Sequence, residues 1–154
     1  MSDYIQKVTK FHKLFKLPIL DTPCIPKKER TELRISLIQE ELEELKEAIA
    51  NNDITEVCDA FADLQYVLSG AILEFGLGDK FNDLFNEVQR SNMSKACSSV
   101  EEAEETIKHY NQKDGTEAYY MKEGGDYIVY RKSDNKVLKS IKYSAVNFEK
   151  ILNN

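Results

Sequence analysis

The chain has 154 residues, 42% of them hydrophobic and 31% charged, with a formal net charge of −6 at pH 7. That length fits one domain, or one domain with a small appendage, and the apolar share is enough for a real core. The negative balance argues against binding along a nucleic-acid backbone, but it leaves a polyphosphate substrate open, because metal ions can offset the repulsion locally.

Residues 3 to 16 place Ile5, Val8, Phe11, Leu14 and Phe15 at helical spacing. His12 falls among them and reads as a packing or surface residue. Pro18, Pro23 and Pro26 make residues 17 to 26 an extended linker. A long helix is predicted from near Lys27–Thr31 to about Ala50, with Leu33, Leu37, Ile38, Leu42, Leu45 and Ile49 as a broad apolar face. Arg34, about one and a half turns before Glu40, reads either as a surface ion pair or as a contact to phosphate or carboxylate near the acidic residues that follow.

Asn51, Asn52 and Asp53 form a short polar break, which suits an antiparallel helix pair. Asp53 is a predicted N-cap, with Glu56 at the third helical position of a capping box. The second helix of the pair runs from about Ile54 to Phe75 and ends at Gly76. Val57, Phe61, Leu64, Leu68 and Ile72 mark its core face. Ala60, Ala62, Gly70 and Ala71 are small enough to let helices approach closely. A lone hairpin leaves too much of this apolar surface uncovered, so a homodimer or homotetramer is expected.

The stretch EELEELKEAIANNDITEVCDAFAD, residues 40 to 63, concentrates the acidic residues. Glu40 and Glu44 stand one turn apart, as do Glu56 and Asp59, and the hairpin could bring the two sets together. Like charges one turn apart cost roughly 0.2–0.5 kcal/mol each even on an exposed helix. A hard divalent cation with oxygen ligands relieves such a cluster, most naturally Mg²⁺. A solvated helix face explains the same pattern, and Glu43 and Glu47 read as surface residues of that kind.

Asp79 caps a predicted helix to about Arg90, followed by Arg90, Asn92 and Lys95 in the segment EVQRSNMSKA. These read as an ordinary polar helix end or as phosphate and base contacts. A further helix, capped by Ser98 or Ser99, runs to about Tyr110, and its Glu101, Glu102, Glu104 and Glu105 read as a solvated face. Beyond Gly115 the composition changes. Residues 118 to 122, 126 to 131 and 136 to 143 read as three short strands of a meander rich in tyrosine (119, 120, 127, 130 and 143), with the rings favoured for packing over base stacking. The fold class is therefore mainly α, an antiparallel helical bundle over residues 1 to 114 with a small β-meander over 115 to 154.

Cys24, Cys58 and Cys97 show no CxxC spacing, which points away from a disulfide framework or zinc site and toward a reducing cytoplasm. The segment MSDYIQKVTKF lacks a signal-peptide pattern, and no apolar run approaches the ~20 residues of a membrane span. A cytoplasmic protein with neither a nucleic-acid nor a membrane partner is expected.

Taken in order, these motifs resemble the MazG-like all-α nucleoside triphosphate pyrophosphohydrolases, relatives of phosphoribosyl-ATP pyrophosphohydrolase and the dimeric dUTPases. The residues that carry the resemblance are Glu40-Glu41-x-x-Glu44, then Glu56-x-x-Asp59, then Asn92 and Lys95 in RSNMSK, with RISLIQEE ahead of them. The likeness covers roughly residues 30 to 96 and leaves the tyrosine-rich tail unexplained. It implies hydrolysis of a nucleotide between the α- and β-phosphates. Mg²⁺, with Mn²⁺ as an alternative, would be held by Glu40, Glu41, Glu44, Glu56 and Asp59. Glu41 would accept the proton of the attacking water, Lys95 would stabilise phosphate charge with Arg34 and Arg90 as helpers, and Asn92 would meet the nucleotide. Some members carry the second motif in a register that would use Asp63, but position 60 is alanine here, so Asp63 is kept as an alternative ligand. The competing reading is a non-catalytic helical interaction domain with a solvated acidic face.

Overall fold

A computed structural model describes residues 3–153. It is mainly helical, with helices α1 (Asp3–Leu14), α2 (Lys28–Ala50), α3 (Ile54–Glu74), α4 (Phe81–Met93), α5 (Val100–Asp114) and α6 (Glu149–Leu152), and strands β1 (Ala118–Glu123) and β2 (Asp126–Arg131). The chain divides into two compact units, Met1–Asn82 and Asp83–Asn154. That division falls well before the boundary expected at residue 114, because α5 packs on the β-hairpin that follows it.

The first unit is a three-helix arrangement in which α3 packs against both α2 and α1. The spacing of Ile5, Val8 and His12 puts all three on one buried face of α1. Ile5 and Val8 meet Ile72 and Leu73 of α3, with Ile19, Leu77 and Phe81 packed around them. Each such aliphatic side chain contributes roughly 1.5–3 kcal/mol on full burial. The proline-containing linker runs back along the end of α3, where Leu20 N donates to Leu73 O at 3.0 Å and Cys24 N to Phe75 O at 3.1 Å, satisfying carbonyls that the helix leaves open. Gly76 makes this approach feasible. Its φ is +69°, and a Cβ there would stand 2.0 Å from the Thr22 carbonyl oxygen.

At the α2–α3 turn, Asn52 takes a φ of +55°, which asparagine tolerates. Asp53 then caps α3 as expected, accepting from Thr55 N at 3.0 Å and Glu56 N at 3.2 Å. The apolar faces expected on α2 and α3 are only partly covered. Phe61 is 57% exposed and Leu68 42% exposed, while Ala60, Ser69, Gly70 and Ala71 lie buried. Ile72 and Leu73 are buried at the C-terminal end of α3, whereas Phe61 and Leu68 stand outside the helix contacts.

A polar network ties the three helices together. Glu74 of α3 is 1% exposed and is ion-paired to both Arg30 and Arg34 of α2. Arg34 Nη2 also donates to His12 Nε2 of α1 at 3.2 Å. A guanidinium can only donate, so Nε2 is the unprotonated nitrogen, and Nδ1–H donates to the Pro18 carbonyl at 2.9 Å. The network needs a glycine beside it, since a Cβ on Gly70 would stand 2.7 Å from Arg34 Nη1.

The second unit packs Cys97, Ala103, Val129 and Leu138 into its core, with Ile107, Tyr110, Tyr120 and Tyr127 around them. The tyrosines at 120 and 127 thus pack, as expected. Ser99 caps α5 and Gly115 ends it in the left-handed region. β1 and β2 pair antiparallel with Tyr119 opposite Tyr130. Among the described residues the third expected strand is absent. Val137 makes one isolated bridge to Tyr130, and Ser140 then leaves the sheet to bond Lys95 O and Glu102. Glu102, expected on a solvated face, is buried. Burial pushes its carboxyl up, but bonds from Ser140, Ser98 and Lys142 outweigh it and hold it at about 2.

The Glu74 network generates a stability prediction. Burial raises the Glu74 carboxyl, yet the hydrogen bonds and charges of Arg30 and Arg34 bring it below its ordinary range. Its contribution is therefore present above the ordinary carboxylate pKa and is lost as pH falls through the lowered one. Burial lowers the His12 imidazole from its ordinary 6.5, helped by the charges of Arg34 and Arg30, so its share is present above 6.5 and also fades on acidification. Glu74→Ala strands the buried Arg34 charge and is expected to cost about 3–5 kcal/mol in urea unfolding at pH 7. The gap to the parent should narrow in acid, and a variant within 1 kcal/mol of the parent at pH 7 would show that the network is not structural.

Candidate active site

The acidic residues predicted to converge lie on the two arms of the α2–α3 hairpin. Glu40, Glu41 and Glu44 project from α2, and Glu56, Asp59 and Asp63 from α3. Glu41 and Asp63 are half-buried, while Glu40, Glu44, Glu56 and Asp59 are exposed. Burial pushes the Glu41 carboxyl up, and the charges of Asp63, Glu44, Glu40 and Asp59 push it further. Four other carboxylates of the hairpin thus act electrostatically on Glu41.

Asp63, kept as an alternative ligand, has the largest effect among the charges that act on Glu41. The Glu56 backbone amide serves the Asp53 cap. Asp59 and Asp63 are four residues apart on α3, so they stack on one face. Among the described residues, no three acidic, histidine or cysteine side chains are drawn together tightly enough to ligate one ion as they stand. Mutual repulsion among exposed carboxylates favours that splayed arrangement. The donor set itself, all carboxylate oxygen, fits a hard divalent cation.

Glu43 behaves as the surface residue it was expected to be. It is exposed and paired with Lys46 at 2.8 Å.

The cationic candidates divide differently. Arg34, expected near a phosphate, is 8% exposed at its side chain and committed to Glu74 and His12. The carboxylate it meets belongs to its own chain, and its Nε is buried without a hydrogen-bond partner. In the second unit, Arg90 forks onto Glu87 at 2.7 and 2.8 Å and donates to the Ala145 carbonyl at 2.9 Å. The Arg90 hydrogen bond and then the Asn147 amide hold the Glu87 carboxyl at about 2. Lys95 Nζ donates to Asn92 Oδ1 at 2.8 Å, so these two act as a pair at the end of α4.

Glu74 was missed by the sequence reading, although a signal was present. A lone carboxylate inside the apolar run AILEF calls for a buried partner.

Residues 8–92 match the phosphoribosyl-ATP pyrophosphohydrolase family, which is more than half of the chain. An uncharacterized protein of Acanthamoeba polyphaga mimivirus is 36% identical over 81 residues, 49% of this chain and 32% of its own length. The chain therefore spans about a third of the length of that relative.

Glu41 is half-buried under the charges of its neighbours, whereas Glu56 is exposed. With no divalent ion present, Glu41→Gln removes one member of a repelling group and should stabilise the fold, by roughly 0.2–0.5 kcal/mol for each like-charged neighbour relieved. Glu56→Gln should change it less. Thermal unfolding in EDTA checks this, and equal shifts for the two variants would place Glu56 in the cluster on the same footing.

Proposed function

Since the chain belongs to the phosphoribosyl-ATP pyrophosphohydrolase family, we propose that it is a Mg²⁺-dependent nucleoside triphosphate pyrophosphohydrolase, cleaving between the α- and β-phosphates to give a nucleoside monophosphate and pyrophosphate. What supports this reading beside the family is the set of carboxylates on the hairpin, Glu40, Glu44, Asp59 and Asp63, whose charges act on the half-buried Glu41. A group of like charges suits a site completed by a cation and a polyphosphate together.

In this reading Glu40, Glu41, Glu44 and Asp59 hold the ion, Asp63 joins them, and Glu56 stands as an outer ligand. When bound, Mg²⁺ or Mn²⁺ supplies positive charge against the phosphates and acidifies water. Glu41, the most enclosed carboxylate of the α2 set, takes the proton of the attacking water. Lys95 donates to phosphate oxygens and stabilises charge on the leaving pyrophosphate, and Asn92 positions both the Lys95 ammonium and the nucleotide. Arg34 fixes α2 against α3 through Glu74, and Arg90 fixes the end of α4 through Glu87 and Ala145. No helix among the described residues is long and apolar enough to cross a membrane. A second copy of the chain would cover the exposed Phe61, Tyr66 and Leu68 of α3.

Two measurements test the proposal. Across a panel of nucleoside triphosphates with Mg²⁺, the protein should release pyrophosphate, and EDTA should abolish the release. Glu44→Gln and Asp59→Gln should each lower turnover by at least ~100-fold, because each removes a charge that positions the phosphates. Glu43→Gln, whose parent side chain is engaged with Lys46, should keep parental turnover. If all three variants behave alike, the carboxylates are a solvated face and the hydrolase reading fails. Light scattering at micromolar concentration should separately report a dimer or larger, and a stable folded monomer would contradict the assembly.

A further inference from the structure

The segment after β2 lies outside the family match, and it is fastened to the end of α4. Ser140 N donates to the Lys95 carbonyl at 3.0 Å, and Ser144 N donates to Ser94 Oγ at 3.0 Å. Ser91 Oγ donates to Tyr143 Oη at 3.1 Å, and Arg90 reaches Ala145 O. These bonds fix which side chains of the tail stand next to Asn92 and Lys95. Lys139 Nζ lies 4.1 Å from the centre of the Tyr143 ring, within cation–π range. The charges of both Lys139 and Lys95 act on the Tyr143 phenol.

The cations here fall into two kinds. Arg90 is held by Glu87, and Lys142 by Glu102 at 3.2 Å. Among the described residues, neither Lys95 nor Lys139 has a carboxylate partner. Lys95 donates to a neutral amide oxygen, and Lys139 lies over the Tyr143 ring and within hydrogen-bond reach of its neutral phenol. Because Asn92 Oδ1 accepts from Lys95, the Asn92 amide NH₂ remains available as a donor. Because Tyr143 Oη accepts from Ser91, its own proton is available too. Two uncompensated ammonium groups, an amide NH₂ and a phenol O–H therefore share one patch of a chain whose net charge is −6. A donor set of this kind lacks only an anion rich in acceptor oxygens.

We propose that the C-terminal segment completes an anion cradle in which Lys139 and Tyr143 join Asn92 and Lys95 to hold the phosphate oxygens of a polyphosphate. The identity of that polyphosphate as substrate rests on the hydrolase reading above, whereas the cradle itself does not. Lys139 and Tyr143 are then substrate-binding residues supplied by a part of the chain that the family match does not reach. The tail is fastened down because the cradle requires it in one place.

The test uses the full chain and inorganic pyrophosphate as probe, titrated calorimetrically in EDTA so that the carboxylates contribute no metal-bridged binding. The parent should bind, and Lys95→Ala and Lys139→Ala should each weaken binding by about tenfold, the size of one charge-assisted hydrogen bond. Lys139→Arg should keep most of the affinity. Tyr143→Phe, which preserves the ring under Lys139, should lose several-fold. Lys136→Ala, on the same segment, should bind as the parent does. Circular dichroism melts of every variant check that the tail remains folded. Parental affinity in both Lys139→Ala and Tyr143→Phe, with Lys95→Ala weakened, would overturn the role of the tail, and a parent that does not bind pyrophosphate would overturn the cradle. Turnover is scored separately. A cradle without nucleotide hydrolysis would leave this inference standing and remove the hydrolase reading, and hydrolysis without a cradle would do the reverse.

Discussion

Glu74 is a carboxylate with 1% of its surface exposed, and the way its charge is met organises the first unit. Desolvating an unpaired carboxylate there would cost several kcal/mol. Arg30 and Arg34 approach from α2, and Arg34 in turn contacts His12 of α1, whose other nitrogen holds the linker at Pro18. One buried charge therefore fixes three helices and the segment between two of them. The constraint propagates to residues that carry no charge. Gly70 is held to glycine by Arg34, and Gly76 by the path that the linker takes past Thr22.

The same hairpin treats acidic residues in opposite ways along its length. At Glu74 two guanidiniums neutralise one carboxylate. Around Glu41 the groups that act on it are further carboxylates, and burial adds to the same strain. The second unit repeats the contrast on a smaller scale. Glu102 is saturated by Ser98, Ser140 and Lys142, whereas Lys95 and Lys139 have only neutral contacts.

The tail shows how one buried acid can redirect a strand. Lys136 to Tyr143 follows a turn and carries the β-formers Val137, Ile141 and Tyr143 of an expected third strand, and Leu138 N does bond Val129 O at 2.8 Å. Ser140 then turns away to Glu102, because a buried carboxylate gains more from a hydroxyl donor than an edge ladder gains from one further pair. The consequence is positional. Tyr143 lies against Ser91 rather than in the sheet.

Much of the local structure was legible in the residues alone. Asp53 and Ser99 as caps, Gly76 as a stop, and the apolar spacing of Ile5, Val8 and Ile72 all depend on neighbours within about four residues, and spacing reports such neighbours directly. The acidic pattern on the hairpin was legible for the same reason, since its turn and its register follow from Asn52 and Asp53. Tertiary structure alone decided that Glu41 and Asp63 are half-buried while Glu56 stays exposed. It also decided that Arg34 answers Glu74 across 40 residues of sequence, that Glu102 is buried rather than solvated, and that α5 belongs with the hairpin. The electrostatics of a charged side chain are set by whatever charge stands across from it, and no local periodicity carries the identity of a partner that distant.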